Sequence, residues 1–312
     1  VAIDPGFRTG CKVAAIDQVG DVLDTTVIYP HNSQEGWKTA KEELEQLIGE
    51  YNINIACIGN GTACRETEKL LAELISEVEQ KLEYVIVDEA GASIYSASAV
   101  AREEFPDLDV AMRGAVSIGR RLQDPLAELV KIEPEHLGVG MYQHDISSSD
   151  LNEALETVVE SVVNYVGVDL NTASKSLLEH VAGLSSSVAQ KIVDYRSENG
   201  KFKDRQEVKD VYGVGPKTFT QAAGFLRIRD SLNPLDKTPI HPESYDLAKK
   251  LLNKIGHDIN SLQSDDEMMD LKKQLKSLDI KKLAQNLEAG YPTLKDIKDA
   301  LLKPGRDPRE DL

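Results

Sequence analysis

The sequence predicts an α/β domain, then an all-α domain built from paired helical hairpins, then a helical tail. Up to about residue 103, short apolar strands come first and then alternate with helices. Between Asn171 and Leu226, two glycine-marked turns each separate a pair of helical stretches. Beyond Pro242 only short helical stretches and turns remain. With 312 residues, 41% of them hydrophobic, the chain has room for two or three ordinary cores.

The first strand is Val1-Ala2-Ile3-Asp4, with no initiator Met before it, so we expect a fragment of something longer. The turns Pro5-Gly6 and Val19-Gly20 link it to strands over 12–17 and 21–29, a three-stranded meander. A helix over 36–51, a strand over 55–59 and a helix over 62–81 follow. Leu70, Leu71, Leu74, Ile75 and Val78 form one face of that second helix. A last strand, 84–88, runs into a helix over 90–103. Three antiparallel strands, then two strands alternating with helices, is the order of a ribonuclease-H-like fold. We assign it residues 1–146.

Ser147-Ser148-Ser149-Asp150 reads as the cap of a connecting helix within 147–170, with Asp150 and Glu153 spaced as a capping-box variant. Leu151, Leu155, Val158, Val159, Val162, Val163 and Val166 are expected to form its buried face. Residues 171–232 follow as the hairpin domain. Its sharpest turn is Val211-Tyr212-Gly213-Val214-Gly215-Pro216-Lys217. Glycine reaches positive φ without a Cβ clash, and Pro216 suits a first helical position, where its missing N–H costs little. A helix start of this kind offers free N–H groups to a phosphate, and Lys217 adds a charge. Val181-Ala182-Gly183-Leu184-Ser185 repeats the design between helices over 171–181 and 185–199, with Ser185 in place of the second glycine. Gly183, Ser185, Gly213, Gly215 and Lys217 are therefore the candidate nucleic-acid-binding residues. Asn233-Pro234-Leu235-Asp236 and Pro239-Ile240-His241-Pro242 mark a loop boundary before a helical segment over 233–312, with turns at Gly256 and Gly290 and a linker-like end at Lys303–Arg309.

A net charge of −17 argues against a surface that binds nucleic acid everywhere. From Val168 to Asp230, however, ten Lys/Arg face eight Asp/Glu, so the hairpin domain escapes the general acidity. Cys11, Cys57 and Cys64 show no Cys-x-x-Cys spacing and suggest neither a disulfide framework nor a zinc site. No signal peptide and no apolar run of spanning length appears, so a cytoplasmic, non-membrane protein is expected.

The stretch 171–226 resembles the tandem helix-hairpin-helix domains of DNA-repair, DNA-uptake and transcription proteins, down to Asn171-Thr172-Ala173-Ser174 and the pairing of Tyr195-Arg196 with Gly200-Lys201-Phe202. In those families hairpins grip phosphate without reading sequence. Ile3-Asp4-Pro5-Gly6-x-Arg8-x-Gly10 and Val87-Asp88-Glu89 resemble the YqgF branch of the ribonuclease-H-like superfamily. Ile58-Gly59-Asn60-Gly61-Thr62-Ala63, Asp88–Ser96, Arg113-Gly114-Ala115, Arg120–Leu126 and Gly140–Asp145 narrow the resemblance to the Tex family of bacterial transcription accessory proteins. It implies a sequence-independent DNA or RNA partner, a link to the transcription machinery, and two further parts outside this chain: a helical N-terminal region and an OB-fold RNA-binding domain.

Ribonuclease-H-like nucleases gather carboxylates around two divalent metals. Asp4 and Glu89 match two such catalytic ligands, with Asp88 as a helper, and Mg²⁺ takes an oxygen-only cage of this kind. Where related nucleases carry a third Asp, this chain has Arg113-Gly114-Ala115, so a catalytically degenerate domain that needs no cofactor is expected. Asp107, Asp109 and Asp124 flank that helix as substitutes, which leaves a Mg²⁺-dependent nuclease as the alternative; a purely protein-binding scaffold is another. Asp4 could also serve its own Asp-Pro-Gly turn. Asp4-x-Gly6 with Thr9-Gly10 also resembles the first phosphate loop of actin-like ATPases, but the second loop those need is missing. The six histidines are scattered, and Trp37 reads as core.

Overall fold

The computed structural model describes residues 1–78 and 80–305, the Asp265 side chain excepted. Residues 306–309 of the linker-like end lie outside the described residues. The chain divides into two compact units, one ending at Leu155 and one beginning at Glu156.

The first unit is a five-stranded mixed sheet with helices on both faces. Strands β1 (Ala2–Asp4), β2 (Cys11–Ile16), β3 (Val22–Ile28), β4 (Ile55–Gly59) and β5 (Glu83–Val87) lie in the order β3-β2-β1-β4-β5. The first three pair antiparallel, whereas β1–β4 and β4–β5 are parallel. This is the ribonuclease-H-like order. Alternation along β1 splits the core into two layers. Ile3, with Val13, Ala15 and Ile58, packs under α1 (Gln34–Glu50) and α2 (Cys64–Glu77), where Leu44, Leu47, Leu70, Leu71 and Leu74 close the core. Trp37 packs against this cluster, and its indole N–H donates to Glu73 Oε2 at 3.0 Å.

The helix expected over 90–103 is two helices, α3 (Ala92–Ala97) and α4 (Ala99–Glu104). Ser98 breaks it, because its extended backbone (φ −68°, ψ 164°) lets its hydroxyl cap α4 through the Ala101 N–H. Ala2, Ala14 and Cys57 face the other side, against α5 (Val110–Gln123). These residues are small, and a Cβ on Gly119 would come within 2.9 Å of Ala2 Cβ, so α5 lies close on the sheet. Helix α6 (Pro125–Leu129) follows directly; Asp109 and Asp124 cap α5 and α6, and Asp107 is exposed.

Helix α7 (Ser148–Val166) lies within the expected span, and Asp150, read as part of its cap, falls in its first turn. Val163 alone of its apolar stripe is buried; Val158 and Val162 are exposed and the rest half-buried. Periodicity says which side of a helix is apolar, not what covers it.

The second unit is helical apart from β6 (Val168–Asp169) and β7 (Leu226–Arg227), a short parallel pair that joins the two ends of the hairpin domain. Four helices follow the hairpin order: α8 (Lys175–Leu178) and α9 (Ser186–Asn199), then a 3-10 turn over Arg205–Asp210 and α10 (Pro216–Ala222). The helix expected over 171–181 is shortened to α8 because Asn171 is used elsewhere: its amide donates to Phe202 O at 3.0 Å and accepts from Phe202 N at 2.8 Å. Arg196 Nη1 donates to Leu170 O and Ala173 O, both at 3.0 Å, and Tyr195 stacks on Phe202. The tail, α11 (Tyr245–Lys254), α12 (Asp265–Ser277), α13 (Ile280–Asn286) and α14 (Tyr291–Leu302), closes over Leu251, Leu271, Leu275, Leu294 and Leu301.

The loop at 233–242 is not a loose boundary. Arg205, 1% exposed, donates from Nη1 to Ile240 O at 2.7 Å and from Nη2 to Asp236 O at 2.8 Å and to Thr238 O. Asp236 in turn accepts from Arg205 N and Ser231 Oγ, each at 2.8 Å, and from the Tyr245 hydroxyl at 2.5 Å.

Candidate nucleic-acid interface and carboxylate site

The pairs Ile3↔Ile58 and Gly59↔Val87 bring the carboxyl ends of β1, β4 and β5 side by side. Asp4, Gly59 and the Asp88-Glu89 turn therefore lie together at one end of the sheet, the usual place for chemistry on a parallel sheet. Glu89 lies in a cradle of two glycines: a Cβ on Gly59 would fall on Glu89 Oε2, and one on Gly61 on Oε1. Asn60 ties the turn down, accepting from Glu89 N at 3.1 Å and donating to Asp88 Oδ1 at 3.3 Å. Asp88 Oδ1 also accepts from Ala90 N at 3.0 Å, so Asp88 caps its own turn. From α5, the buried Arg121 donates through Nη1 to Asp88 O and Ala90 O, both at 2.8 Å.

Burial pushes the Asp4 carboxyl above the usual range, against the pull of Lys12. Burial also raises Glu89, and the nearby Asp4 charge adds to it; the Gly61 amide and Arg121 act in the opposite direction. Glu89 Oε2 is buried and has no hydrogen-bond partner. The helix that should bring a third carboxylate brings Gly114, where a Cβ would stand 3.2 Å from Asp4 Oδ2. Its neighbour Arg113 is buried and donates to Ser96 O at 3.5 Å. Among the described residues, the one set of three ligand groups within 4.8 Å of one another is Glu133, Glu135 and His136, which includes none of Asp4, Asp88 or Glu89.

The two hairpin turns share a backbone and differ in chemistry. Gly183 and Gly213 have φ of +86° and +98°, the left-handed turn that glycine permits. Gly215 is the N-cap of α10 and has no side chain to cap with; Pro216 takes the first helical position and Lys217 is exposed beside it. In the first turn Ser185 uses its own hydroxyl on Val188 N, and Ser186 donates to Glu179 Oε1 at 2.6 Å. Ala182 N donates to Asn164 Oδ1 at 3.0 Å, and a Cβ on Gly183 would stand 2.6 Å from Gln221 Cβ. The first turn is thus committed to packing and carries a carboxylate. The second is open, with the exposed Lys217 at its helix start and a lysine reaching it from α9. Lys191, which motif reading missed because it comes from α9, holds its ammonium 4.6 Å from the Tyr212 ring centroid. Lys209 lies over Phe219 in the same way, at 4.3 Å.

Three family models match in turn: "Tex protein YqgF-like domain" over residues 1–123, "Helix-hairpin-helix motif" over 163–227 and "HHH domain" over 233–309. The last covers what the sequence reading treats only as a helical tail. The chain is 49% identical over 310 residues to the transcriptional accessory protein Tex of Neisseria gonorrhoeae, covering 99% of this chain and 40% of that protein. Over nearly its whole length the chain is similar to part of the Tex-type proteins. It is also similar to the uncharacterized protein YdcI of Bacillus subtilis, at 51% identity over 99% of this chain and 43% of that protein. S1 RNA-binding domain-containing protein 1 of Homo sapiens is 40% identical over 97% of this chain and 36% of its own length. The chain thus spans about two fifths of the length of the curated relatives it matches. Residues 163–227 and 233–309 match helix-hairpin-helix models, and no described helix is long and apolar enough to cross a membrane.

Proposed function

We propose that this chain is the backbone-gripping and scaffolding part of a cytoplasmic Tex-type transcription accessory factor. The second hairpin, with Gly213, Gly215, Lys217 and Lys191, holds phosphate of DNA or RNA without reading sequence. Gly183 and Ser185 position that hairpin rather than touch the ligand. The observation that carries this reading is the contrast between the two turns, one closed by its own side chains and one open among lysines. The ribonuclease-H-like domain keeps its shape without cutting, because Gly114 and Arg113 occupy the place of the third carboxylate. Contact with the transcription machinery belongs to the same proposal.

The test is the binding of a labelled oligonucleotide across a salt series. Each phosphate contact contributes about 0.9 to the slope of log affinity against log salt, so Lys217→Glu should weaken binding and flatten the slope by about 1. A parent that binds nothing at low salt, or a variant that binds like the parent, would favour a protein-binding scaffold. A cleavage assay with Mg²⁺ or Mn²⁺ on branched DNA and RNA, run beside Asp4→Asn, tests the second half. Cutting by the parent that the variant loses would restore the nuclease.

A further inference from the structure

Tyr212 stands at the tip of the second hairpin with 83% of its surface exposed. Exposed aromatic rings need no explanation when they are scattered singly, but this one is held. The Lys191 ammonium covers it at 4.6 Å, a cation–π contact that restrains the ring, and the same ammonium would lie 3.5 Å from a Cβ on Gly213. The first hairpin has Ala182 at the matching position and Ser187 where Lys217 stands. Ring and lysine therefore occur together at the second turn, whereas at the first Ser186 meets Glu179, whose carboxylate is already paired with Lys175.

We infer that Tyr212 is a stacking platform for a nucleobase beside the phosphate grip, so that this hairpin takes single-stranded rather than duplex nucleic acid. The inference rests on the phosphate-gripping reading above and adds to it the form of the ligand. Every base has a π-face, so a ring of this kind accepts any sequence. A duplex keeps its bases stacked on one another, out of reach of a ring at the phosphate surface, whereas an unpaired base can turn onto it. Tyrosine suits the task because only two side-chain torsions must be fixed. The ammonium occupies one face of the ring, and the high exposure of Tyr212 leaves the rest of the ring open to a base.

The experiment compares three labelled ligands by fluorescence anisotropy with the whole chain: a mixed-sequence single strand, its duplex, and an abasic strand with the same number of phosphates. The parent should bind the intact strand about five- to 150-fold more tightly than the abasic one, the range expected for stacking one base. Tyr212→Ala should abolish that difference and leave the abasic strand and the duplex unchanged, while Tyr212→Phe keeps it. An unaltered melting curve for Tyr212→Ala excludes misfolding. Equal affinity of the parent for intact and abasic strands, or a Tyr212→Ala loss shared by all three ligands, overturns the stacking role. The phosphate grip fails separately, through Lys217→Glu leaving all three affinities unchanged; a parent that binds none of the ligands removes both.

Discussion

Replacing Arg205 by alanine should loosen the second unit while leaving the first intact. The side chain is fully enclosed and satisfies the carbonyls of Asp236, Thr238 and Ile240. Each buried carbonyl left without a donor costs about 1–3 kcal/mol, for a ceiling of roughly 9 kcal/mol. Water entering the vacated volume recovers part, and truncating one member of a buried charged network typically costs about 3–5 kcal/mol. In a body of this size that is a fall of roughly 6–20 °C in melting midpoint. The molecule provides its own control, since its single tryptophan, Trp37, lies in the first unit. Tryptophan fluorescence should melt as in the parent while the helical circular-dichroism transition of the second unit moves down. Arg205→Lys keeps the charge, but one ammonium cannot span three carbonyls, so it should fall between. A helical transition that moves by less than about 2 °C in Arg205→Ala would refute the reasoning.

Two further outcomes follow from the carboxylate cradle and the first hairpin. Glu89 has a folded-state pKa above its ordinary value of 4.5, so the folded state binds its proton more tightly than the unfolded chain does. That contribution is complete below 4.5 and is lost as pH rises through the raised value. Glu89→Gln should therefore raise the Trp37 melting midpoint at neutral pH and lose its advantage in acid; an equal gain at both would contradict the burial argument. Gly183→Ala combines a left-handed backbone with a clash against Gln221 Cβ, and should cost about 1–2 kcal/mol or more in urea unfolding of the second unit. A neutral result would mean that the first turn is not committed to packing.

Much of this was legible because its signals are local. The strand order followed from apolar runs and turn glycines, and it placed Asp4 and Glu89 at one end of the sheet. The phrase at Asn171 and the pairing of Tyr195-Arg196 with Phe202 were visible as words; their meaning, a clamp across the hairpin domain, needed the fold. Lys191 and Arg205 were unreadable as functional or structural centres because each acts on a segment distant in sequence. Two-residue strands such as β6 and β7 are too short to leave a periodic trace. Ser98 did leave a signal, a capping residue inside a helical run, which the apolar pattern around it masked.

The glycine cradle constrains the order in which this domain can change. With Glu89 in place, neither Gly59 nor Gly61 can acquire even a methyl group without displacing the carboxylate. With either glycine replaced, the carboxylate has lost its seat and cannot simply return. Substitutions at 61 and 89 are therefore epistatic: Glu89→Ala opens the route to alanine at 61, whereas a Cβ at 59 would still stand 3.1 Å from Ile118 Cδ1 and 3.2 Å from Pro5 Cδ. The end of the sheet thus keeps its outline for a steric reason that is independent of any chemistry the carboxylate carries.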